Sequence, residues 1–293
     1  MKKLGLLLVL VAGCGNGVSL QSGAQACITA AACGIVTGGV SACTQVVGLV
    51  NDGSVAASAH FGPSEVNCIA SAGSNCANAK KCIAGGQTPA TCSGLATSCA
   101  GNTWQQCNAA AGSAGNNGIQ TFDCSSVGEM CVTNNGNTDC GFGTCSPGAA
   151  TCNGNVVQTC GNGILQETDC GKSDATCNPS GVAHCRGNGA PCTSRSLGDD
   201  TLRCDGSTLV TCADGQEART DCGRYNLGCH PGVGNGANAF VCSAGTECDP
   251  GSFGAICMGT KLQFCNKGVQ QTIDCKSLGF AACNPNNGGS CGN

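Results

Sequence analysis

The chain is poor in the large side chains that usually fill a core. Its 293 residues include one Trp, one Tyr and seven Phe. Burial of apolar surface supplies about 25 cal/mol per Å², so a single large conventional interior is not expected. Charge is also scarce. Thirteen Lys and Arg face seventeen Asp and Glu, and they are scattered. No basic patch of the kind nucleic acid requires is present, so no nucleic-acid partner is expected. No later segment reads as a membrane-spanning helix, because the most apolar stretch, residues 26–40, is broken by Thr29, Gly34, Thr37, Gly38 and Gly39.

Catalytic and metal signatures are missing too. The chain contains no C-x-x-C, and its closest cysteines, Cys140 and Cys145, have four residues between them. That excludes the usual zinc and iron–sulfur spacings and thioredoxin-like redox chemistry. The three histidines, His60, His184 and His230, form no H-x₃₋₅-H pair and have no evident nucleophile partner. There is no G-x-S-x-G, P-loop or H-E-x-x-H, and no Asp/Glu pair stands out. Gly232, Gly234 and Ala237 match G-x-G-x-x-A only formally, inside a loop between Cys229 and Cys242. No catalytic residue, cofactor or metal is therefore expected, and the expectation is a protein that is not an enzyme.

What the chain has instead is sulfur. Thirty-one cysteines exceed 10% of its residues, the composition of a disulfide scaffold. Small units that bury little surface need such staples, each stabilising by roughly 2–4 kcal/mol.

The first fourteen residues read as an address. Met1-Lys2-Lys3 is a positive start, Leu4 to Val11 is apolar except for Gly5, and Val11-Ala12-Gly13-Cys14 follows. The run is shorter than the ~20 residues of a spanning helix and has the layout of a secretory signal. Its last four residues resemble a bacterial lipobox. That resemblance implies cleavage before Cys14 and a diacylglyceryl thioether with palmitate-type chains on its sulfur. The alternative is an ordinary signal peptide with Cys14 as one more disulfide partner. Parity favours lipid, because thirty other cysteines pair evenly. Gly15 after the anchor points to the outer rather than the inner membrane. An exported address also permits disulfides.

A six-cysteine unit recurs four times. Its second and third cysteines bracket C-AGNTWQQ-C from Cys99, C-NGNVVQT-C from Cys152, C-DGSTLVT-C from Cys204 and C-MGTKLQF-C from Cys257. Each has Gly two residues after the first Cys and an apolar residue five after it: Trp104, Val157, Leu209 and Leu262. This reads as a strand entering a hairpin. Gly161-Asn162-Gly163, Ala213-Asp214-Gly215 and Asn266-Lys267-Gly268 then predict three-residue loops with a G1 bulge. The first copy has a longer loop, residues 108–117. Each return strand ends in Asp-Cys, at Asp123, Asp169, Asp221 and Asp274. These predict a capped helical turn closed by a left-handed residue at Gly128, Asp174, Asn226 and Gly279. The alternative use of the four Asp, binding Ca²⁺, lacks the 6–8 converging oxygens that ion needs.

Six cysteines allow fifteen connectivities. The expected bonds are first to third (Cys92–Cys107, Cys145–Cys160, Cys192–Cys212, Cys248–Cys265). Second to fourth (Cys99–Cys124, Cys152–Cys170, Cys204–Cys222, Cys257–Cys275) and fifth to sixth (Cys131–Cys140, Cys177–Cys185, Cys229–Cys242, Cys283–Cys291) are expected as well. The proposed hairpin supports only the second-to-fourth pairs.

The expected fold is a small disulfide-rich one: an N-terminal helical Cys-rich domain followed by tandem β-hairpin six-cysteine repeats. Residues 1–13 form the signal peptide, 14–19 a lipid-anchored linker and 20–88 an Ala-rich helical domain with three internal bridges. The repeats occupy residues 89–141, 142–187, 188–243 and 244–293. In the helical domain, Gly62-Pro63-Ser64-Glu65 marks one helix start, and residues 75–83 form a second helix closed by Gly85-Gly86.

With the VAGC leader, C-x-G-x₅-C strands, Asp-Cys returns and the Cys68, Cys76, Cys82 spacing, nearly the whole mature chain resembles cysteine-rich lipoproteins of the myxobacterial type. The resemblance implies a place in the cell envelope and no mechanism. The expected function is a lipid-anchored, non-catalytic interaction or structural module, with membrane lipid and an envelope protein or polysaccharide as partners. The alternatives are a carbohydrate or cell-wall binder and a secreted inhibitor or enzyme; Trp104 and Tyr225 are the only candidate ring platforms for a sugar, and Trp104, in the slot of Val157, Leu209 and Leu262, reads as structural.

Overall fold

The computed structural model describes residues 18–36, 39–47, 62–94, 97–112, 116–193, 202–232, 240–249, 252–285 and 289–292. The leader, Cys14, His60, and the Gly234 and Ala237 of the formal glycine motif lie outside the described residues.

The N-terminal domain consists of α1 (Leu20–Ala32), α2 (Gly39–Val46), α3 (Pro63–Ala72) and α4 (Cys76–Cys82). Ser19 caps α1, its hydroxyl accepting from the Ser22 N–H. Pro63 opens α3 after Gly62, and Glu65 sits in its positive first turn. Asn75 caps α4, and left-handed Gly85 and Gly86 follow its end. Three disulfides staple these helices: Cys27–Cys43, Cys33–Cys76 and Cys68–Cys82. The helices expected from Pro63 and over residues 75–83 are α3 and α4, while α1 and α2 carry no clear signal because Ala, Gly and Thr blur their apolar periodicity.

The first copy holds β1 (Thr91–Cys92), β2 (Thr97–Ala100), β3 (Thr103–Asn108), β4 (Asn117–Asp123), β5 (Met130–Asn134) and β6 (Asn137–Gly141). The second holds β7 (Thr151–Asn153), β8 (Val156–Gly161), β9 (Ile164–Asp169), β10 (Ala175–Asn178) and β11 (His184–Gly187). The third holds β12 (Arg203–Asp205), β13 (Thr208–Ala213), β14 (Gln216–Asp221), β15 (Gly228–Pro231) and β16 (Phe240–Ser243). The fourth holds β17 (Ile256–Met258), β18 (Lys261–Asn266), β19 (Val269–Asp274), β20 (Ala282–Asn284) and β21 (Ser290–Gly292). Each copy is an antiparallel three-stranded meander, a 3-10 turn and a two-stranded hairpin; the first copy adds β1 beside β4.

The turns follow the cap chemistry. Asp123, Asp169, Asp221 and Asp274 each accept from the N–H two residues on, and Gly128, Asp174, Asn226 and Gly279 each close the turn in the left-handed conformation. The β8–β9, β13–β14 and β18–β19 loops differ from the expected bulges. Gly161 pairs with Ile164, Ala213 with Gln216 and Asn266 with Val269, leaving two-residue loops. Both loop residues have positive φ: Asn162 and Gly163, Asp214 and Gly215, Lys267 and Gly268. These are type I′ turns, whose twist matches that of right-handed strands where a type I or II turn would splay them.

The sulfur connectivity also corrects the sequence reading. First-to-third bonds are present in all four copies. The second cysteine bonds the fifth: Cys99–Cys131, Cys152–Cys177, Cys204–Cys229 and Cys257–Cys283. The fourth bonds the sixth: Cys124–Cys140, Cys170–Cys185, Cys222–Cys242 and Cys275–Cys291. The expected Cys99–Cys124, Cys152–Cys170, Cys204–Cys222 and Cys257–Cys275 bonds are therefore replaced, as are Cys131–Cys140, Cys177–Cys185, Cys229–Cys242 and Cys283–Cys291. The fifth and sixth cysteines are opposite one another in a hairpin, not at the ends of a free loop. Opposed residues share one face. That face meets the meander, so both sulfurs bond across the gap rather than to each other.

Each copy has a small core. Trp104, 2% exposed, packs with Phe122, Cys124 and Cys140, and its indole N–H donates to the Thr138 carbonyl. Val157 holds the same slot in the second copy. The largest cluster is shared: Ile28, Val40, Val66, Ile69 and Ile83 of the helical domain pack with Leu262, Phe264 and Phe280 of the fourth copy. Polar contacts seal this joint. Thr44 donates to the Cys265 carbonyl, the Cys265 N–H donates to Ser41, and buried Asn266 donates to the Leu20 carbonyl.

Candidate interaction site

The residues singled out in the sequence are mostly occupied by structure. Trp104 is inside, so it cannot stack on a sugar ring. Tyr225 is half-buried against the third copy's core. The four Asp carboxylates are spent on turn N–H groups. Among the described residues, no group of three or more His, Cys, Asp or Glu could hold a metal ion.

His184 sits at the joint between the second and third copies. Its Nδ1 lies 2.7 Å from the Val182 carbonyl and its Nε2 lies 3.0 Å from Asp214. Asp214 also accepts from Asn178, 2.8 Å away, and Arg186 stands 4.0 Å off. The Val182 carbonyl, then Asp214, push the His184 pKa up. The His184 and Asn178 hydrogen bonds hold Asp214 below its ordinary value. Both ring nitrogens are thus committed to a joint.

Sequence reasoning missed two carboxyls. Glu129, just before β5, and Asp139, within β6, are both raised by burial, and the Asp139 charge pushes Glu129 further. Asp139 accepts from the Cys140 N–H at 2.9 Å. The signal that could have found them was Asn135-Gly136, a strong hairpin pair whose residues both have positive φ.

A cleft of about 320 Å³ opens between α1 and the β18–β19 hairpin, lined by Gln21, Ala24, Gln25, Phe264, Gln271, Thr272 and Ile273. Gln21, Ala24 and Gln25 stand at i, i+3 and i+4, one stripe of the helix. Phe264 is the direct cross-strand partner of Gln271. No lining side chain is charged. Asn266, 2% exposed, sets the orientation of Gln271. The Leu20 carbonyl can only accept, so the Asn266 atom 3.0 Å from it is the amide nitrogen. That nitrogen also donates to the Gln271 carbonyl oxygen, 3.1 Å away. The Gln271 amide N–H groups have no partner among the described residues, and Gln271 lines the cleft. Gln21, Gln25 and Thr272 make no side-chain hydrogen bond among the described residues. This arrangement can bind an uncharged polar group; it offers no nucleophile.

No protein-family model, curated protein or solved structure matches the chain.

Proposed function

We propose that this protein is an exported bacterial lipoprotein, anchored by lipid on Cys14 and acting as a non-catalytic interaction or structural module of the cell envelope. The arithmetic of its thiols carries the reading. Thirty-one cysteines are present, and fifteen disulfides use every one from Cys27 onward. The one cysteine left over is the one in the lipobox-like leader. Such bonds require an oxidising compartment, and several acyl chains on one sulfur hold a membrane firmly where one chain does so only marginally.

The outer membrane is the favoured location, from Gly15, and the chain fits cysteine-rich lipoproteins of the myxobacterial type. Leu20 packs against the third copy's core and its carbonyl is held by Asn266 of the fourth. Six residues from Cys14 to Leu20 reach about 20 Å at most, so the third and fourth copies stand close to the bilayer. Its partners are membrane lipid and an envelope protein met by repeat surfaces and variable loops. The test is fractionation of the native-leader protein and a Cys14→Ser variant. The expected result is a diacylglyceryl mass increment on Cys14 and loss of membrane association in the variant. A membrane-free wild type with unmodified Cys14 would overturn the reading.

A further inference from the structure

The third strand of every copy has an outer edge, and in the first three copies the chain covers part of that edge with its own backbone. In the second copy the Leu165 N–H donates to Gly143, and Phe142 donates to Leu165. In the third copy Glu217 exchanges the same bonds with Gly189 and Ala190. In the fourth the backbone cover reaches only the turn before β19, where Ala244 donates to Lys267, and Glu247 and Cys248 donate to Gly268. The Glu247 carboxylate takes the Gln270 N–H. In the first copy the cover runs further, with Ile119 donating to Ala90 and Thr121 donating to Ile83 at 2.7 Å.

Thr272 is the fourth copy's counterpart of Thr121. Gln105 pairs with Thr121 and Gln263 pairs with Thr272. Backbone polar groups alternate sides along an antiparallel strand. The Gln270 N–H points outward to Glu247, so the N–H and C=O of Thr272, two residues on, point outward as well. Among the described residues they have no partner. In the second and third copies the backbone at this position also has no partner among the described residues, but there it carries Glu167 and Arg219. Charge is the ordinary protection of an open edge. The fourth copy instead runs Gln270-Gln271-Thr272-Ile273, and Thr272 lines the cleft under α1.

We propose that the cleft between α1 and β19 binds an extended, uncharged peptide segment of a partner protein, which adds its backbone to β19 at Thr272. Addition of a strand to a free edge is a recurring mode of peptide recognition. Here the first copy supplies the precedent within the same chain, with the Ile83 carbonyl on the Thr121 N–H. Gln271, held by Asn266, donates to a peptide carbonyl, and Gln21 and Gln25 face the same segment from the helix. The absence of charged lining selects against charged peptide side chains. This deepens the interaction-module reading and rests on it for the need of a partner, not on the lipid.

The test uses the full chain in detergent with its disulfides intact. The probe is the acetylated, amidated nonapeptide with the sequence of residues 83–91, the segment that leads along the first copy's edge. Titration is followed by amide NMR and hydrogen exchange. The expected result is a shift of the Thr272 and Gln25 amides and about tenfold slower exchange at Thr272 near saturation. Thr272→Lys should weaken binding at least about tenfold, and Thr272→Pro, tolerated on an edge, should abolish it. Glu167→Lys should change nothing. Intact Cys257–Cys283 and Cys275–Cys291 bonds certify the variants' fold. No response at Thr272 with millimolar peptide would overturn the proposal, as would binding that survives Thr272→Pro. Occupation of the cleft by a chitooligosaccharide or by a second copy of the chain, with the peptide excluded, would also overturn it. In each of those cases lipid on Cys14 and capture of an envelope partner could still be measured separately.

Discussion

Cys131 and Cys140 are direct partners across the β5–β6 hairpin, yet neither bonds the other: Cys131 is joined to Cys99 and Cys140 to Cys124. The hairpin already has its backbone ladder. One outward staple fixes it onto the meander and the other onto the 3-10 turn, and one small face beneath them holds Trp104. The same lacing recurs in all four copies, with Val157, Leu209 and Leu262 in the slot of Trp104. Removing both Cys99 and Cys131 as a Ser pair should therefore cost roughly 2–4 kcal/mol. The single Trp reports it directly: emission of the variant should shift red at a lower denaturant concentration than in the wild type.

Lys267 sits at φ +50° in a type I′ turn, where the second and third copies have Asn162 and Asp214. A left-handed backbone costs an ordinary side chain about 1–2 kcal/mol, and burial also lowers the Lys267 pKa. Lys267→Asn should raise stability by about 1 kcal/mol, seen as a higher thermal midpoint at neutral pH. No change, or a decrease, would mean that the lysine stem contributes packing that outweighs the backbone term.

Thr29 is fully buried in α1 and its hydroxyl has no hydrogen-bond partner among the described residues. An unsatisfied buried hydroxyl costs about 1–3 kcal/mol. Thr29→Val keeps the shape and removes the polar atom, so thermal melting should show a gain of about 1 kcal/mol.

Asp221 accepts from the Gly223 N–H at 2.9 Å. Asp221→Ala should lower stability by about 1 kcal/mol, and Asp221→Asn by less. The equivalent change at Asp169 should behave alike. Calcium or chelator should move neither midpoint, because each carboxylate serves its own turn.

The His184–Asp214 joint gives a pH dependence whose sign follows from the two shifts. His184 is raised, so its contribution is full below the ordinary histidine value of about 6.5 and fades as pH rises through the folded value. Asp214 is lowered, so its contribution is present above the ordinary carboxylate value of about 4 and fades as pH falls through the folded value. The joint is strongest between them. Melting of wild type and Asp214→Asn across that range should show the two curves furthest apart inside the window and converging on both sides. Parallel curves would contradict the ion pair.

Much of the architecture was readable because it depends on local chemistry. Asp before Cys announces a cap, a residue tolerant of positive φ four positions on announces its close, and equal spacing announces the copies. What was not readable depends on which face meets which. Alternation along β5 and β6 places Cys131 and Cys140 side by side, but only the docked meander decides that their sulfurs diverge. The G1 bulges expected at Gly163, Gly215 and Gly268 are absent for a related reason, since strand pairing consumes the first of the three loop residues. The cleft was hidden by distance: Asn266 and Leu20 lie 246 positions apart, and nothing near either one marks Thr272 as an uncovered edge.

The most direct measurement is disulfide mapping by mass spectrometry on native protein digested without reduction. The account requires first-to-third, second-to-fifth and fourth-to-sixth bonds in every copy, three bonds within the helical domain, and Cys14 outside them all. Recovery of peptides joining Cys131 to Cys140 or Cys177 to Cys185, or of a substantial fraction of free thiols, would contradict it.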